Sequence, residues 1–109
     1  MALTDVIAPP ALSFERNTIV FGDLVAQVNA QGKVIGIICH GGLIAISAKI
    51  VAGKKTVGSL GIKDDLLNAG AEWVDEAAFR DGNQVWGRVV ADIPAFNREL
   101  VKALKTGNG

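Results

Sequence analysis

The chain has 109 residues, half of them apolar, and its eleven basic side chains balance eleven acidic ones. That suits one domain with a real core and excludes a disordered composition, while the balanced charge excludes a basic footprint for nucleic acid or an anionic membrane surface. One cysteine excludes an intramolecular disulfide, so a reducing cytoplasm is the expected location.

In chain order, the first segment, MALTDVIAPP, has no basic n-region and an apolar stretch cut by Asp5 and the prolines, so it does not read as a signal peptide. Leu3 to Ala8 reads as a short strand ending at Pro9-Pro10. Thr18 to Ala30 places Ile19, Val20, Leu24, Val25 and Val28 on one helical face, with Gly32 as its stop. Val34 to Ile38 is nearly all β-branched without polar alternation, the pattern of a parallel strand covered on both faces. Gly42 to Val51 reads as a short buried helix closed near Gly53. The apolar run from Val34 to Ile50 is too short and too broken for a membrane span.

Lys55 to Ser59 predicts a second strand, and Ile62 to Ala69 a helix with Asp64 and Asp65 at its positive end and Gly70 at its close. Ala71 to Val74 is strand-like. Phe79 to Arg88 holds a turn signal, Asp81-Gly82-Asn83, between two strand-like pieces. Asp92 predicts an N-cap with Pro94 in the first turn, and Ile93, Phe96, Leu100, Val101 and Leu104 form an apolar stripe behind it. Alternating strands and helices predict a single α/β domain over residues 1–109 with a mainly parallel sheet.

Chemistry concentrates at IGIICHGG, which holds the only cysteine and the only histidine, Cys39 and His40. A parallel strand running straight into a helix turns sharply at its carboxyl end, where open α/β sheets place their ligands. A nucleophile there resembles the elbow of serine hydrolases. Helix N–H groups aimed at the thiolate, His40 as charge or base, and the His40 backbone N–H as an oxyanion donor would favour reactivity at Cys39. Gly41 and Gly42 would leave room for strained backbone and for substrate. The competing reading is a small buried thiol. Neighbours on a strand point to opposite faces, so Cys39 and His40 need not touch.

The segment GKVIGIICHGGLIAISAKIVAGKK resembles the nucleophile region of the ThiJ/PfpI superfamily, and the resemblance continues through GIKDDLLNAGAEWVDEAAFRDGNQVWGR and ADIPAFNREL. ICHGG together with IKDDLLNAGAEWVDE is highly specific. The resemblance implies a three-layer α/β sandwich of the flavodoxin-like, class I glutamine amidotransferase-like kind. It also implies cysteine-dependent chemistry of the peptidase, glyoxalase or deglycase type, with Cys39 as nucleophile and His40 as acid/base, and no cofactor.

Departures from the family pattern qualify this. TDVIAPPALSFERN resembles a strand and Pro-Gly-Gly loop that family members reach only after further strands and a helix. The resemblance therefore implies an N-terminally truncated domain without the glutamate that bonds the cysteine. Ala8-Pro9-Pro10 stands where the family uses glycine N–H donors, and proline has none. Gly58-Ser59-Leu60-Gly61 replaces an aromatic and a proline, and Gly87-Arg88-Val89-Val90 replaces Ser-Arg-x-Pro. Arg88 and Glu15, the one acid of the Ser13–Arg16 loop, are candidates for substrate or interface contact.

An incomplete sheet would expose an apolar edge, so a homo-oligomer or a complementing chain is expected. Three functions compete: a cysteine-dependent enzyme on small oxoaldehydes, glycated groups or peptides; a catalytically incomplete structural or regulatory subunit; and a Cys39 redox sensor. Trp73 and Trp86 read as core or interface aromatics, and Glu72, Asp75 and Glu76 as a solvated stretch. One histidine, one cysteine and no carboxylate cluster argue against a metal site.

Overall fold

The computed structural model describes residues 14–106, with side chains from residue 22 onward. The expected strand over 3–8, the proline loop after it and the Glu15 side chain lie outside the described residues. Helix α1 (Phe14–Ala30) begins four residues before the apolar spacing predicted. Glu15 and Arg16 thus stand in its first turn and not in a loop. Nothing between Phe14 and Thr18 in the sequence breaks a helix.

Strand β1 (Ile35–Ile38) leads into helix α2 (Gly42–Ser47). Then come strand β2 (Lys55–Thr56), a 3-10 turn over Leu60–Ile62, helix α3 (Lys63–Asn68) and strand β3 (Glu72–Trp73). Strands β4 (Ala78–Asp81) and β5 (Gln84–Gly87), a 3-10 turn over Val90–Asp92 and helix α4 (Ile93–Lys105) complete the order. No helix among the described residues is long and apolar enough to cross a membrane.

Three helices end in the same way. After α1, Gly32 has φ +72°, its N–H bonds the Asn29 carbonyl, and the Lys33 N–H bonds the Val28 carbonyl. After α3, Gly70 repeats this with Leu67, and Ala71 with Leu66. These are Schellman closures on the glycines that the sequence marked. Helix α2 closes identically on Lys49, at φ +60°, with Lys49 bonded to Ile46 and Ile50 to Ala45. It therefore stops at Ser47, well short of Val51, and Gly53 belongs to the next turn.

The fold is α/β with a mainly parallel sheet. Strand β1 pairs in parallel with β5, β2 in parallel with β3, and β4 antiparallel with β5. In the β4–β5 hairpin only Gly82 and Asn83 separate the paired Asp81 and Gln84, and Gly82 has φ +62°. A positive φ at the first of two loop residues is the type II′ requirement that glycine meets. Strand β2 leaves the ladder after Thr56, three residues early, because the chain turns toward the end of β1: the Ser59 N–H donates to the Cys39 carbonyl at 3.0 Å.

The β1–β5 pair is covered on both faces. Ile37 and its partner Trp86 pack with Ala45, Val51, Ile62 and Leu66 beneath α2 and α3, and Val25 and Ala26 of α1 join them. On the other face Val85 and Ile38 meet Phe96, Leu100 and Ala103 of α4. The Phe96 ring sits directly on backbone there: a Cβ on Gly36 or Gly87 would come within 2.9 or 2.7 Å of it. Helix, sheet and helix make three layers. Only part of the predicted α4 stripe is used, since Ile93, Val101 and Leu104 are exposed and Ala103 takes the buried position instead. Trp86 is fully buried, as a core reading requires, and Trp73 is half-buried with the Lys63 ammonium over its ring.

The core also holds a polar chain that the sequence did not announce. The buried Gln84 amide donates to the Ile50 carbonyl at 2.9 Å and to Asn29 Oδ1 at 3.1 Å. Its Oε1 accepts from Trp86 Nε1 at 3.1 Å. Asn83 donates to Asn29 Oδ1 and to the Lys33 carbonyl. Among the described residues no buried side-chain nitrogen or oxygen is left without a partner.

Candidate functional site

Cys39 is the first residue beyond β1, and its backbone is in the left-handed region at φ +58°. A non-glycine residue pays conformational energy there, and such strain persists only where the surroundings over-determine it. Two backbone bonds do so. The Cys39 N–H donates to the Gly87 carbonyl at 3.3 Å, and its own carbonyl accepts from Ser59 at 3.0 Å.

The left-handed turn overrides strand alternation. Sγ of Cys39 and Nδ1 of His40 lie 3.3 Å apart, so the neighbours do touch. Either the thiol donates to a neutral imidazole or Nδ1–H donates to a thiolate, according to the tautomer. Cys39 is half-buried and His40 exposed, which leaves the sulfur reachable. His40 Nε2 faces the 3-10 turn, 3.8 Å from where a Gly61 Cβ would stand.

The strain belongs to Cys39 and not to the glycines after it. Gly41 caps α2 with ordinary right-handed angles, φ −58° and ψ −23°. Its N–H is spent on the Ile38 carbonyl at 2.9 Å, which removes it as an anion donor. The backbone N–H groups of His40 and Gly42 have no backbone acceptor among the described residues. Gly42 is buried for packing, since a Cβ there would lie 2.9 Å from Ile62 Cδ1. The helix behind it has six residues, too short for much of a dipole.

Sequence reasoning overlooked Gly58, whose hypothetical Cβ would lie 2.5 Å from the Cys39 carbonyl oxygen. Only a glycine lets the β2 loop close on the elbow. The departure at Gly58-Ser59 was visible in the sequence; its contact with Cys39 was not.

Arg88 begins just beyond β5, but its guanidinium is occupied. Nε donates to Asp92 Oδ2 at 2.9 Å and Nη1 to Asp75 Oδ1 at 3.0 Å. Bonds to Asp92 first and Asp75 second hold it more firmly protonated than usual. Asp92 occupies the N-cap position of α4, yet its side chain caps nothing, because Arg88 claims it. That hydrogen bond holds the Asp92 carboxyl below the usual carboxylate range, against a smaller upward push from burial. The opposite charges at i and i+4 were a legible signal for this pair. Among the described residues no group of three or more metal-ligating side chains comes together. The structure brings Cys39, His40, Gly41 and Gly42 together and sets Arg88 at the adjacent strand end.

Two outcomes follow from this geometry. Replacing Cys39 by Ala keeps the left-handed penalty, whereas Gly removes it, so Cys39→Gly should be more stable than Cys39→Ala in denaturant by about 1 kcal/mol. Equal stability would show that the turn stores no strain. A lowered folded-state pKa means that Asp92 stabilises fully above the ordinary value of about 4, and that this contribution fades as pH falls from there through the folded value. The stability gap between the native chain and Asp92→Asn should thus stay constant from pH 7 to about 5 and shrink below about 4. A gap that persists to pH 2 would contradict the pairing.

The DJ-1/PfpI family model matches residues 12–103. A deglycase of Pyrococcus horikoshii is 51% identical over 82 residues, which is 75% of this chain and 49% of that protein. The deglycase PfpI of Pyrococcus furiosus is 42% identical over 83 residues, 76% of this chain and 50% of the relative. The chain thus spans about half the length of the curated relatives it matches. Among solved structures, a two-domain protein of Anabaena variabilis with DJ-1/ThiJ/PfpI-like and ferritin-like domains superposes with a TM-score of 0.76 at 31% identity, covering 79% of this chain and 25% of that one. A ThiJ/PfpI domain protein of Brachyspira murdochii gives 0.76 at 18% identity, over 85% of this chain and 52% of the other, a likeness of fold. The chain belongs to the DJ-1/PfpI family.

Proposed function

We propose that the chain carries the nucleophile elbow of a cysteine-dependent enzyme of the deglycase type. The observation that carries this reading is the strained Cys39 with its sulfur 3.3 Å from His40 Nδ1 at the carboxyl end of a parallel strand. Relatives named deglycases at 42–51% identity support the substrate class: glycated groups or the oxoaldehydes that form them. In the first step a Cys39 thiolate adds to the carbonyl carbon. A C–S bond forms, the C=O π pair moves to oxygen, and that oxygen takes a proton from the His40 imidazolium to give a thiohemiacetal. In this reading the backbone N–H of His40, which has no backbone acceptor among the described residues, steadies the developing oxyanion.

The expected result is that Cys39→Ala abolishes methylglyoxal consumption, while His40→Ala lowers it by about 10²–10⁴-fold, the usual worth of general acid–base catalysis. A wild-type chain as inert as Cys39→Ala would remove the reading.

One observation supports a second component. Among the described residues no carboxylate is bonded to Cys39 or His40, and β1 is an edge strand of its sheet. An apolar parallel edge is a surface that folded proteins cover. The catalytically incomplete reading and the enzymatic one converge if a second copy or another chain covers that edge and brings an acid to His40. The chain should then run as a dimer or larger species in light scattering, and a folded monomer that is stable to dilution would overturn this part.

A further inference from the structure

We propose that Arg88 is a positioning residue for the Cys39 elbow, acting through the Gly87–Arg88 peptide. This rests on the reading of Cys39 as the reactive thiol. The carbonyl of Gly87 and the N–H of Arg88 belong to one planar unit, so neither can turn without the other. The carbonyl accepts the Cys39 N–H at 3.3 Å, while the N–H donates to the Ala77 carbonyl at 3.0 Å. That one peptide therefore ties the elbow to the start of β4.

Its orientation is set from the Arg88 end. The guanidinium spans Asp75, just before β4, and Asp92, at the head of α4. A planar fork with two carboxylates on different segments restrains the arginine Cα in a way that one flexible ammonium would not. The bond that the clamp protects, at 3.3 Å, is long for its kind and comes at the very end of the parallel ladder, where fraying starts. Without the clamp the peptide gains freedom to rotate. Cys39 then loses one of the two bonds holding its left-handed backbone, and Sγ drifts from His40.

The test is amide hydrogen exchange on the full chain, read residue by residue, with Ile37 as the control two residues back along the same edge of β1. In Arg88→Ala the Cys39 amide should exchange about tenfold faster, with Ile37 nearly unchanged. Iodoacetamide alkylation of Cys39, the chain's only thiol, should slow about fivefold, and no further when His40→Ala is added, because both changes remove one contact. Should Arg88→Ala fail to fold, Asp75→Asn removes one exposed arm of the clamp and is read by the same signals. Unchanged exchange at Cys39, or equal acceleration at Cys39 and Ile37, would overturn the proposal. Neither readout needs turnover, so an inert wild type would defeat the deglycase reading and leave this one standing.

Discussion

The parallel pairing of β1 with β5 is the constraint on which the rest depends. Four rungs, from Ile35 with Gln84 to Ile38 with Gly87, set which side chains face which layer. Ile37 and Trp86 go to the core beneath α2 and α3, while Ile38, Val85 and the two glycines under Phe96 go to α4. A slip of one residue would exchange the faces. It would set Trp86 against a helix seated on bare backbone and put glycines where the main core needs bulk. The pairing also brings Gly87 opposite the end of β1, and with it the carbonyl that receives the Cys39 N–H.

Gln84 gives that register a polar lock. Apolar packing alone tolerates exchanges of similar volume. A buried amide is less forgiving, because an unpaired polar group in the interior costs on the order of 1–3 kcal/mol. Gln84 reaches the Ile50 carbonyl after α2, the Asn29 amide in α1 and the Trp86 indole on its own strand. These partners come from three elements, and no shifted pairing of β5 would meet them all. Beside it, Asn83 fastens the hairpin turn to the chain entering β1. The amino ends of the paired strands β1 and β5 are thus fixed by side-chain amides, and their carboxyl ends by Arg88 and the Cys39 turn.

Much of this was legible in the sequence, and what was missed has physical causes. Branched apolar residues without alternation identified β1 as a strand covered on both faces, and the Asp-Gly-Asn signal located the hairpin. Gly32 and Gly70 marked two helix ends because glycine is the residue that most readily accepts the left-handed closing position. Lys49 fills the same position in α2 and carries no such mark, so that helix was read too long. Cys39 misled for the same reason: alternation along a strand separated it from His40, and a positive φ on a non-glycine residue brought them together. Asp92 matched the preferences of a cap, but a guanidinium four residues back competes for the same oxygens, and local preference yields to that tertiary contact. Spacing also could not show that Gly58 must lack a side chain to admit the Cys39 carbonyl, since nineteen positions separate them.

The elbow and the rest of a catalytic site make different demands on the chain. The elbow is built from the end of β1, the Gly58–Ser59 turn and the Gly87–Arg88 peptide, each fixed by backbone bonds among the described residues. It can therefore form in a chain that spans about half of its relatives' length. An acid partner for His40 is a separate requirement, met by no residue that the elbow itself needs. Strain at Cys39 is thus maintained by packing and hydrogen bonding alone, whether or not the site turns over substrate. Lys49 shares the positive φ in an ordinary helix closure, so it is the contact of the Cys39 sulfur with His40, added to the strain, that sets the elbow apart. The left-handed turn, more than the presence of a thiol, is the observation on which the proposed nucleophilic role of Cys39 rests.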